Sequence, residues 1–451
     1  MGANICAIST ALGIGAIAII RVSGPESIKI VNSIFKGANL EKVPSHTIHY
    51  GFIVDKTNTI DEVLVTVMKS PKTYTKENIV EINTHGGIAS TNKVLELLLL
   101  SGCRLAEAGE FTKLAFLNGR IDLLEAQSIS DLIESKTDNA RKLAISGVKG
   151  YLSTIIKSAR RDILELMANI EVNIDYPEYE DALVITKRLL EDKLTKIQDT
   201  LLKILAEAQN GRIIKNGINI AIIGRPNVGK SSILNFLLDE DKAIVTDIAG
   251  TTTDTIEGSV ILKGILLNLV DTAGIRKVAG KIEKIGIEKS KKALETADLI
   301  IYVLANNESI TKEDLKTINS IDNNKLIIFI NKNDKKAKED FSSLKKENIV
   351  YGNTINNNGL NELKNKIITM FNLEKIETKD FTYLSNARSI SLATMALESI
   401  EEALKQNIKN SPVDIIAIDI KESFDALGQI IGETYKDELL DELFSKFCLG
   451  K

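Results

Sequence analysis

The chain has 451 residues, 44% of them apolar and 26% charged, with a formal net charge of −4. That is enough for roughly two to four domains with cores of their own, and it lacks the basic excess by which a protein grips a polyanion unaided. Cys6, Cys103 and Cys448, with His46, His49 and His85, form no CxxC or Cys/His cluster; this argues against structural zinc or a disulfide framework and for a reducing, cytoplasmic setting.

The first long apolar stretch, Ala11 to Ile20, is about half of the ~20 residues a membrane span needs. No Lys or Arg precedes it, so it does not read as a signal peptide. Gly2 is not followed by Ser or Thr at position 6, so the myristoylation pattern is incomplete. Residues 1–118 read as α+β, with strands at Ile14–Val22 and Val63–Met68 and a helix at Thr91–Leu100. From about Asp122 the apolar residues recur at helical spacing: Leu123, Leu124, Ala126, Ile129, Leu132 and Ile133, then Ile155, Ile156, Ala159, Ile163, Leu166, Met167 and Ile170. Pro177 closes that run. Another helix spans Leu183–Ala208, and Asn210-Gly211 reads as its break.

Between about Asn216 and Asn372 the pattern alternates strand, loop and helix. The apolar runs Ile218–Ile223, Leu266–Val270, Leu299–Leu304 and Leu326–Ile330 are the signature of a doubly wound parallel sheet. Helical spacing returns at Ala387–Leu404 and Val413–Phe447. The expected fold class is multidomain α/β. An N-terminal α+β domain (1–118) precedes a discontinuous all-α domain (119–213 and 375–451), into which a doubly wound α/β domain (214–374) is inserted.

The first strand of that α/β region runs into Gly224-Arg225-Pro226-Asn227-Val228-Gly229-Lys230-Ser231, a P-loop. Its glycines let main-chain N–H groups face the phosphates at a helix N-terminus. Lys230 brings a point charge to the β- and γ-phosphates, and the Ser231 hydroxyl can ligate Mg²⁺. Gly250-Thr251-Thr252-Thr253-Asp254 follows, where a GTPase closes a Thr over the γ-phosphate and its metal. Strand Leu266–Val270 then delivers Asp271-Thr272-Ala273-Gly274. Last comes Asn331-Lys332-Asn333-Asp334, whose Asp334 can accept from the guanine N1 and N2 donors that adenine does not pair up, so ATP would leave a carboxylate unpaired. The order of these elements makes the chain a GTP-binding protein and residues 214–374 a P-loop G domain. Two departures stand out. Asn353-Thr354-Ile355 occupies the place of the usual Ser-Ala-Lys loop, and Ile275 occupies the place of a water-orienting Gln.

The whole length resembles the tRNA-modification GTPases of the MnmE (TrmE) family. The resemblance is carried by Ile5–Ala18 with Ile19-Ile20-Arg21-Val22-Ser23-Gly24, by Glu81-Ile82-Asn83-Thr84-His85-Gly86-Gly87, by Gly109–Leu123, by the nucleotide elements, and by the ending Phe447-Cys448-Leu449-Gly450-Lys451. It implies a cytoplasmic homodimer that binds GTP, Mg²⁺ and K⁺. With a flavoprotein of the MnmG (GidA) kind, in a heterotetramer, it would add aminomethyl or carboxymethylaminomethyl groups to C5 of the wobble uridine (U34) of tRNA, with no membrane involved. It implies an N-terminal domain that dimerises and binds 5,10-methylenetetrahydrofolate or a 5-formyltetrahydrofolate analogue through Arg21, Glu81, Arg120 and Lys451. Arg120 stands where the family often has Lys, which keeps charge and changes geometry.

The same resemblance extends the nucleotide set to Val228, Ser232, Thr246, Asp247, Ile248 and Ala249, and assigns Mg²⁺ to Ser231 and Thr252. It assigns K⁺ to Asn227, Thr246, Ile248 and Thr251, and names Glu283 beside Lys230 as catalytic, Glu283 orienting the attacking water. A cation there can neutralise charge as an arginine finger does. Taken alone, Arg21 reads as a surface arginine on an edge strand, Glu283 as a solvated charge, and Cys448 as a packed thiol. A ribosome-binding GTPase of the Era or Der kind is the alternative. It predicts a basic tail, whereas this chain ends in a segment holding Asp437, Glu438, Asp441 and Glu442. A free-standing folate methyltransferase would leave residues 216–372 unexplained.

Overall fold

The computed structural model describes residues 2–175, 187–238, 243–244, 258–271, 296–344, 347–376, 383–435 and 437–451, with main chain only at 243–244, 271, 342–343, 375–376 and 437. The chain forms two compact units, one of Met1–Ile133, Gly147–Leu202 and Ser391–Lys451, the other of Glu134–Ser146 and Lys203–Ile390.

In the first unit, strands β1 (Ile5–Ile8), β2 (Ile17–Ser23), β3 (Phe35–Lys36), β4 (Thr47–Asp55), β5 (Asn58–Met68), β6 (Ile79–His85) and β7 (Arg104–Leu105) build one sheet in the order β3-β4-β5-β6-β2-β1-β7. Every pairing is antiparallel except β1 with β7. Alternate residues of β5, Val63, Val65 and Val67, are buried against helices Ser27–Ile34 and Ile88–Leu100. Each such side chain contributes roughly 1.5–3 kcal/mol by leaving water. β2 begins at Ile17 rather than at Ile14; before it, the Gly15 N–H donates to the Gly86 carbonyl at 3.1 Å and the Gly86 N–H donates to the Ala16 carbonyl at 3.3 Å. A Cβ on Gly86 would lie 2.3 Å from the Gly15 carbonyl oxygen.

Helices Leu123–Glu134, Tyr151–Asp175 and Val413–Ile431 belong to the same unit. Arg160 joins two of them: its Nε donates to the Phe424 carbonyl at 3.1 Å, and its guanidinium lies 3.9 Å from the Phe424 ring centroid. The helix expected over Val413–Phe447 is two helices. It stops at Ile431 and resumes over Asp437–Phe444. Gly432, at φ +78°, turns the chain, and a Cβ there would press on Phe116 and Leu123 at 2.8 and 2.9 Å. The returning segment packs Leu440, Phe444 and Phe447 onto Phe116, Leu123 and Ala126.

In the second unit, β8 (Ile218–Gly224), β9 (Ala243–Ile244), β10 (Gly258–Leu262), β11 (Ile265–Asp271), β12 (Leu299–Ala305), β13 (Leu326–Asn331) and β14 (Ile349–Tyr351) pair in the order β14-β13-β12-β8-β11-β10-β9. The run from β14 to β11 is parallel, and β10 and β9 extend it antiparallel. Both faces are covered, as a parallel sheet requires. Ile218, Ile220, Ile222, Ile301, Val303 and Phe329 pack with helices Lys230–Leu238 and Leu360–Met370. Ile223, Ile300, Tyr302, Leu304 and Ile328 pack on the other face with Ile318 of helix Lys312–Ser320.

The helix before β8 corrects a further expectation. Asn210-Gly211 does not break it; the break is at Glu207, and helix Ala208–Asn216 runs through both residues. Gly211 is there for closeness rather than for turning, since a Cβ would sit 2.5 Å from the Leu384 carbonyl oxygen.

Candidate functional site

Two constellations stand out, one in each unit. The first is at the C-terminal ends of the parallel strands, where doubly wound folds bind ligands. β8 ends at Gly224, and the chain loops through residues 225–229 into helix Lys230–Leu238. Gly224 lies at φ +148°, and a Cβ on it would meet the Val303 carbonyl oxygen of neighbouring β12 at 2.4 Å. Gly229 lies at φ +104°, with the space for its Cβ taken by Asn331 Nδ2 at 2.0 Å. Asn227 adopts φ +63°. The loop therefore has the compact wrapped shape that turns amides toward a phosphate. Lys230 is buried, and its Nζ donates back to the Arg225 carbonyl oxygen at 2.7 Å. Ser231 and Ser232 sit exposed in the helix's first turn.

The segment Asn331–Asp334 is bonded to that loop. Asn331 ends β13, is 1% exposed, and donates from Nδ2 to the Val228 carbonyl oxygen at 2.7 Å. Lys332, at φ +61°, donates to the Asn227 carbonyl oxygen at 2.8 Å. Asp334 follows on the exposed turn. The atypical Asn353-Thr354-Ile355 loop joins them: the Thr354 N–H donates to Asn331 Oδ1 at 3.1 Å, and its hydroxyl accepts from Asn331 Nδ2 at 3.2 Å. Thr354 thus holds Asn331 through both its main chain and its hydroxyl. Asp271 ends β11 in register with Ile222 of β8, one strand from the P-loop strand. Thr246, Asp247, Ile248, Ala249, Gly250, Thr251, Thr252, Thr272, Ala273, Gly274, Ile275 and Glu283 lie outside the described residues.

Sequence reasoning missed the support behind the loop. Arg225 is 3.3 Å from Glu308 and 3.3 Å from Asp314, and donates to the Ser309 carbonyl at 3.0 Å. Asp314 forms a capping box with Thr311 and accepts from the Tyr302 hydroxyl at 2.7 Å. The spacing Thr311-x-x-Asp314 is a helix-start signal, but only the fold brings Arg225 to Glu308 and Asp314.

The second constellation gathers all four residues expected to bind folate. Arg21 and Glu81 are register partners on β2 and β6, and the Arg21 Nε donates to Glu81 at 2.8 Å. β2 lies between β1 and β6, so Arg21 is no edge-strand surface residue. The C-terminal segment closes over it. The Gly450 carbonyl accepts from Arg21 Nη1 at 3.4 Å and from the Ser9 hydroxyl at 3.0 Å, and Phe111 N–H donates to the Lys451 main-chain oxygen at 3.1 Å. Arg21, Arg120 and Lys451 all face the ring of Tyr74, a residue absent from the sequence-based set. Burial, followed by the charges of Arg21 and Arg120, holds the Lys451 ammonium below its usual pKa, with Cys448 opposing. The side chains gathered here are three cations and one carboxylate, a set that fits an anionic organic ligand. Cys448 is exposed beside them.

The family model for the GTP-binding protein TrmE N-terminus matches residues 4–120, and that for the MnmE helical domain matches residues 123–448. The tRNA modification GTPase MnmE of Streptococcus thermophilus is 50% identical over 451 residues, covering 99% of this chain and 98% of its own. The protein of the same description from Bacillus anthracis is 49% identical over 454 residues, with 99% of each chain covered. Among solved structures, the G domain of the T. maritima FeoB iron transporter aligns at 30% identity with 34% of this chain and 98% of its own, at a TM-score of 0.26. Matched along nearly its whole length by these models and relatives, the chain belongs to the MnmE family of tRNA modification GTPases.

Proposed function

We propose that the protein is the GTP-hydrolysing component of a two-protein system that adds aminomethyl or carboxymethylaminomethyl groups to C5 of U34 in tRNA. Its partner in a heterotetramer is a flavoprotein of the MnmG (GidA) kind. The observation that carries this reading is that one chain, alike end to end to tRNA modification GTPases, holds both a phosphate cradle and a cation-rich pocket. The domains of this reading are 1–118, 119–213 with 375–451, and 214–374. The protein works as a cytoplasmic homodimer. Among the described residues, no helix is long and apolar enough to cross a membrane.

In this account Lys230 and the loop amides hold the β- and γ-phosphates, while Asn331, Lys332 and Asp334 select guanine. Ser231 and Thr252 would hold Mg²⁺, and Asn227, Thr246, Ile248 and Thr251 would hold K⁺. When bound, the two cations supply neutralisation of the charge that builds on the transferring phosphate. Glu283 orients the attacking water in place of the Gln that Ile275 replaces, giving GDP and phosphate. Arg21, Glu81, Arg120 and Lys451 bind and orient a tetrahydrofolate, which supplies the one-carbon unit. Hydrolysis resets paired G domains, and the C-terminal segment, packed against Phe111 and Arg21, carries that motion to the folate pocket.

The test is made on the purified full chain. GTP turnover is compared in K⁺ and Na⁺ at equal ionic strength, and 5-formyltetrahydrofolate is titrated by calorimetry. Stimulation by K⁺ with saturable folate binding supports the reading. Equal turnover in both salts together with no folate binding contradicts it.

A further inference from the structure

The ring of Tyr74 is the point on which three cations converge. The Arg120 guanidinium lies 4.5 Å from its centroid, the Arg21 guanidinium 5.5 Å, and the Lys451 ammonium 5.8 Å. These residues come from distant parts of the chain, and none is next to Tyr74 in sequence. Arg21 has Glu81 as counter-ion, but among the described residues neither Arg120 nor Lys451 makes an ion pair. Like charges this close repel, and the repulsion is strong where burial lowers the effective dielectric constant. An aromatic face opposes it, because its negative quadrupole attracts each cation. The ring's hydroxyl is anchored: Tyr74 Oη lies 2.9 Å from the hydroxyl of the fully buried Thr112.

We propose that Tyr74 is the positioning residue of this pocket, its ring face gathering Arg21, Arg120 and Lys451 into place before an anionic ligand arrives. The identity of that ligand as a tetrahydrofolate rests on the function proposed above; the gathering of the cations does not. In the absence of ligand, the ring keeps the C-terminal segment docked through Lys451. In its presence, the ligand's negative charge takes over part of the neutralisation.

Two substitutions separate ring from hydroxyl, and a third tests charge. Hydrogen exchange is followed at the Phe111 amide, which donates to the Lys451 main-chain oxygen, in the full-length chain without ligand. Tyr74→Leu speeds that exchange at least tenfold and weakens 5-formyltetrahydrofolate binding at least tenfold. Tyr74→Phe stays within threefold of the parent in both. Adding Arg120→Gln to Tyr74→Leu removes one repelling charge and slows the exchange again, which a purely steric role for the ring would not produce. Unchanged exchange in Tyr74→Leu, or no recovery on adding Arg120→Gln, overturns the proposal. If the parent chain binds no tetrahydrofolate, the ligand assignment fails while the exchange measurements still decide the role of Tyr74.

Discussion

The side-chain amide of Asn331 donates to the carbonyl oxygen of Val228 at 2.7 Å, so that the segment Asn331–Asp334 is tied to the loop between β8 and helix Lys230–Leu238. The same side chain accepts from Thr354 N–H. Asn331→Ala leaves a buried carbonyl without its partner, which costs about 1–3 kcal/mol. Since about 1.4 kcal/mol is tenfold in affinity, GDP should bind roughly ten- to hundredfold more weakly by calorimetry. Affinity within threefold of the parent would show that this bond does not shape the site.

Asn227 and Glu283 are assigned different tasks, and single substitutions separate them. Asn227→Ala should abolish the stimulation of turnover by K⁺ while GDP affinity stays within about fivefold, because the main-chain cradle remains. Glu283→Ala should lower turnover at saturating GTP by about 10²-fold or more, in the range of a lost general base or water-orienting group. An undiminished K⁺ response in the first, or parent-like turnover in the second, would remove the corresponding assignment.

Lys451 gives a pH dependence. Its ammonium is held below the usual lysine pKa of about 10.4 by burial and by the charges of Arg21 and Arg120. An ammonium that pairs with an anionic ligand is present below its pKa and lost as pH rises through it. Folate affinity should therefore decline on the alkaline side before about pH 10.4. In Lys451→Arg, whose guanidinium stays charged throughout, that decline should disappear even if the changed geometry weakens binding overall. Titrations across the alkaline range check this, and the same decline in both proteins would exclude Lys451 as its source.

Asp314 predicts an acid-side effect on stability. Burial pushes its carboxyl up, but hydrogen bonds from Thr311 and Tyr302 and the charge of Arg225 outweigh burial and leave its pKa below the ordinary value. A carboxylate depressed in the folded state stabilises above its unfolded pKa of about 3.9 and loses that contribution as pH falls through the folded value. Asp314→Asn should cost about 2 kcal/mol near neutrality through the lost charge-assisted bonds. The gap from the parent should close below about pH 4, as followed by denaturant unfolding of the nucleotide-free chain. A gap that stays constant with pH would show that the carboxylate's charge plays no part.

How much of this was readable in the sequence follows from how local each feature is. The P-loop and Asn331–Asp334 are contiguous, and their residue types dictate main-chain shape, as Gly224 and Gly229 show at φ +148° and +104°. The four parallel strands were readable because their apolar runs fill both faces of a covered sheet. Asn210-Gly211 misled because a glycine serves close approach as well as turning, and only Leu384, far along the chain, reveals which. The missed end of the helix at Gly432 has the same origin in Phe116 and Leu123. Tyr74 and Glu308 belong to no motif, and the capping spacing of Asp314 says nothing of its pairing with Arg225. Their roles exist only once residues far apart in sequence are folded together.

The most direct measurement is mass spectrometry of wobble uridines in tRNA from cells lacking this protein, complemented with the parent chain or with Lys230→Ala. The account predicts that the C5-aminomethyl and carboxymethylaminomethyl modifications disappear in the deletion, return with the parent chain, and stay absent with Lys230→Ala. Unaltered modification in the deletion, or full restoration by Lys230→Ala, would contradict it.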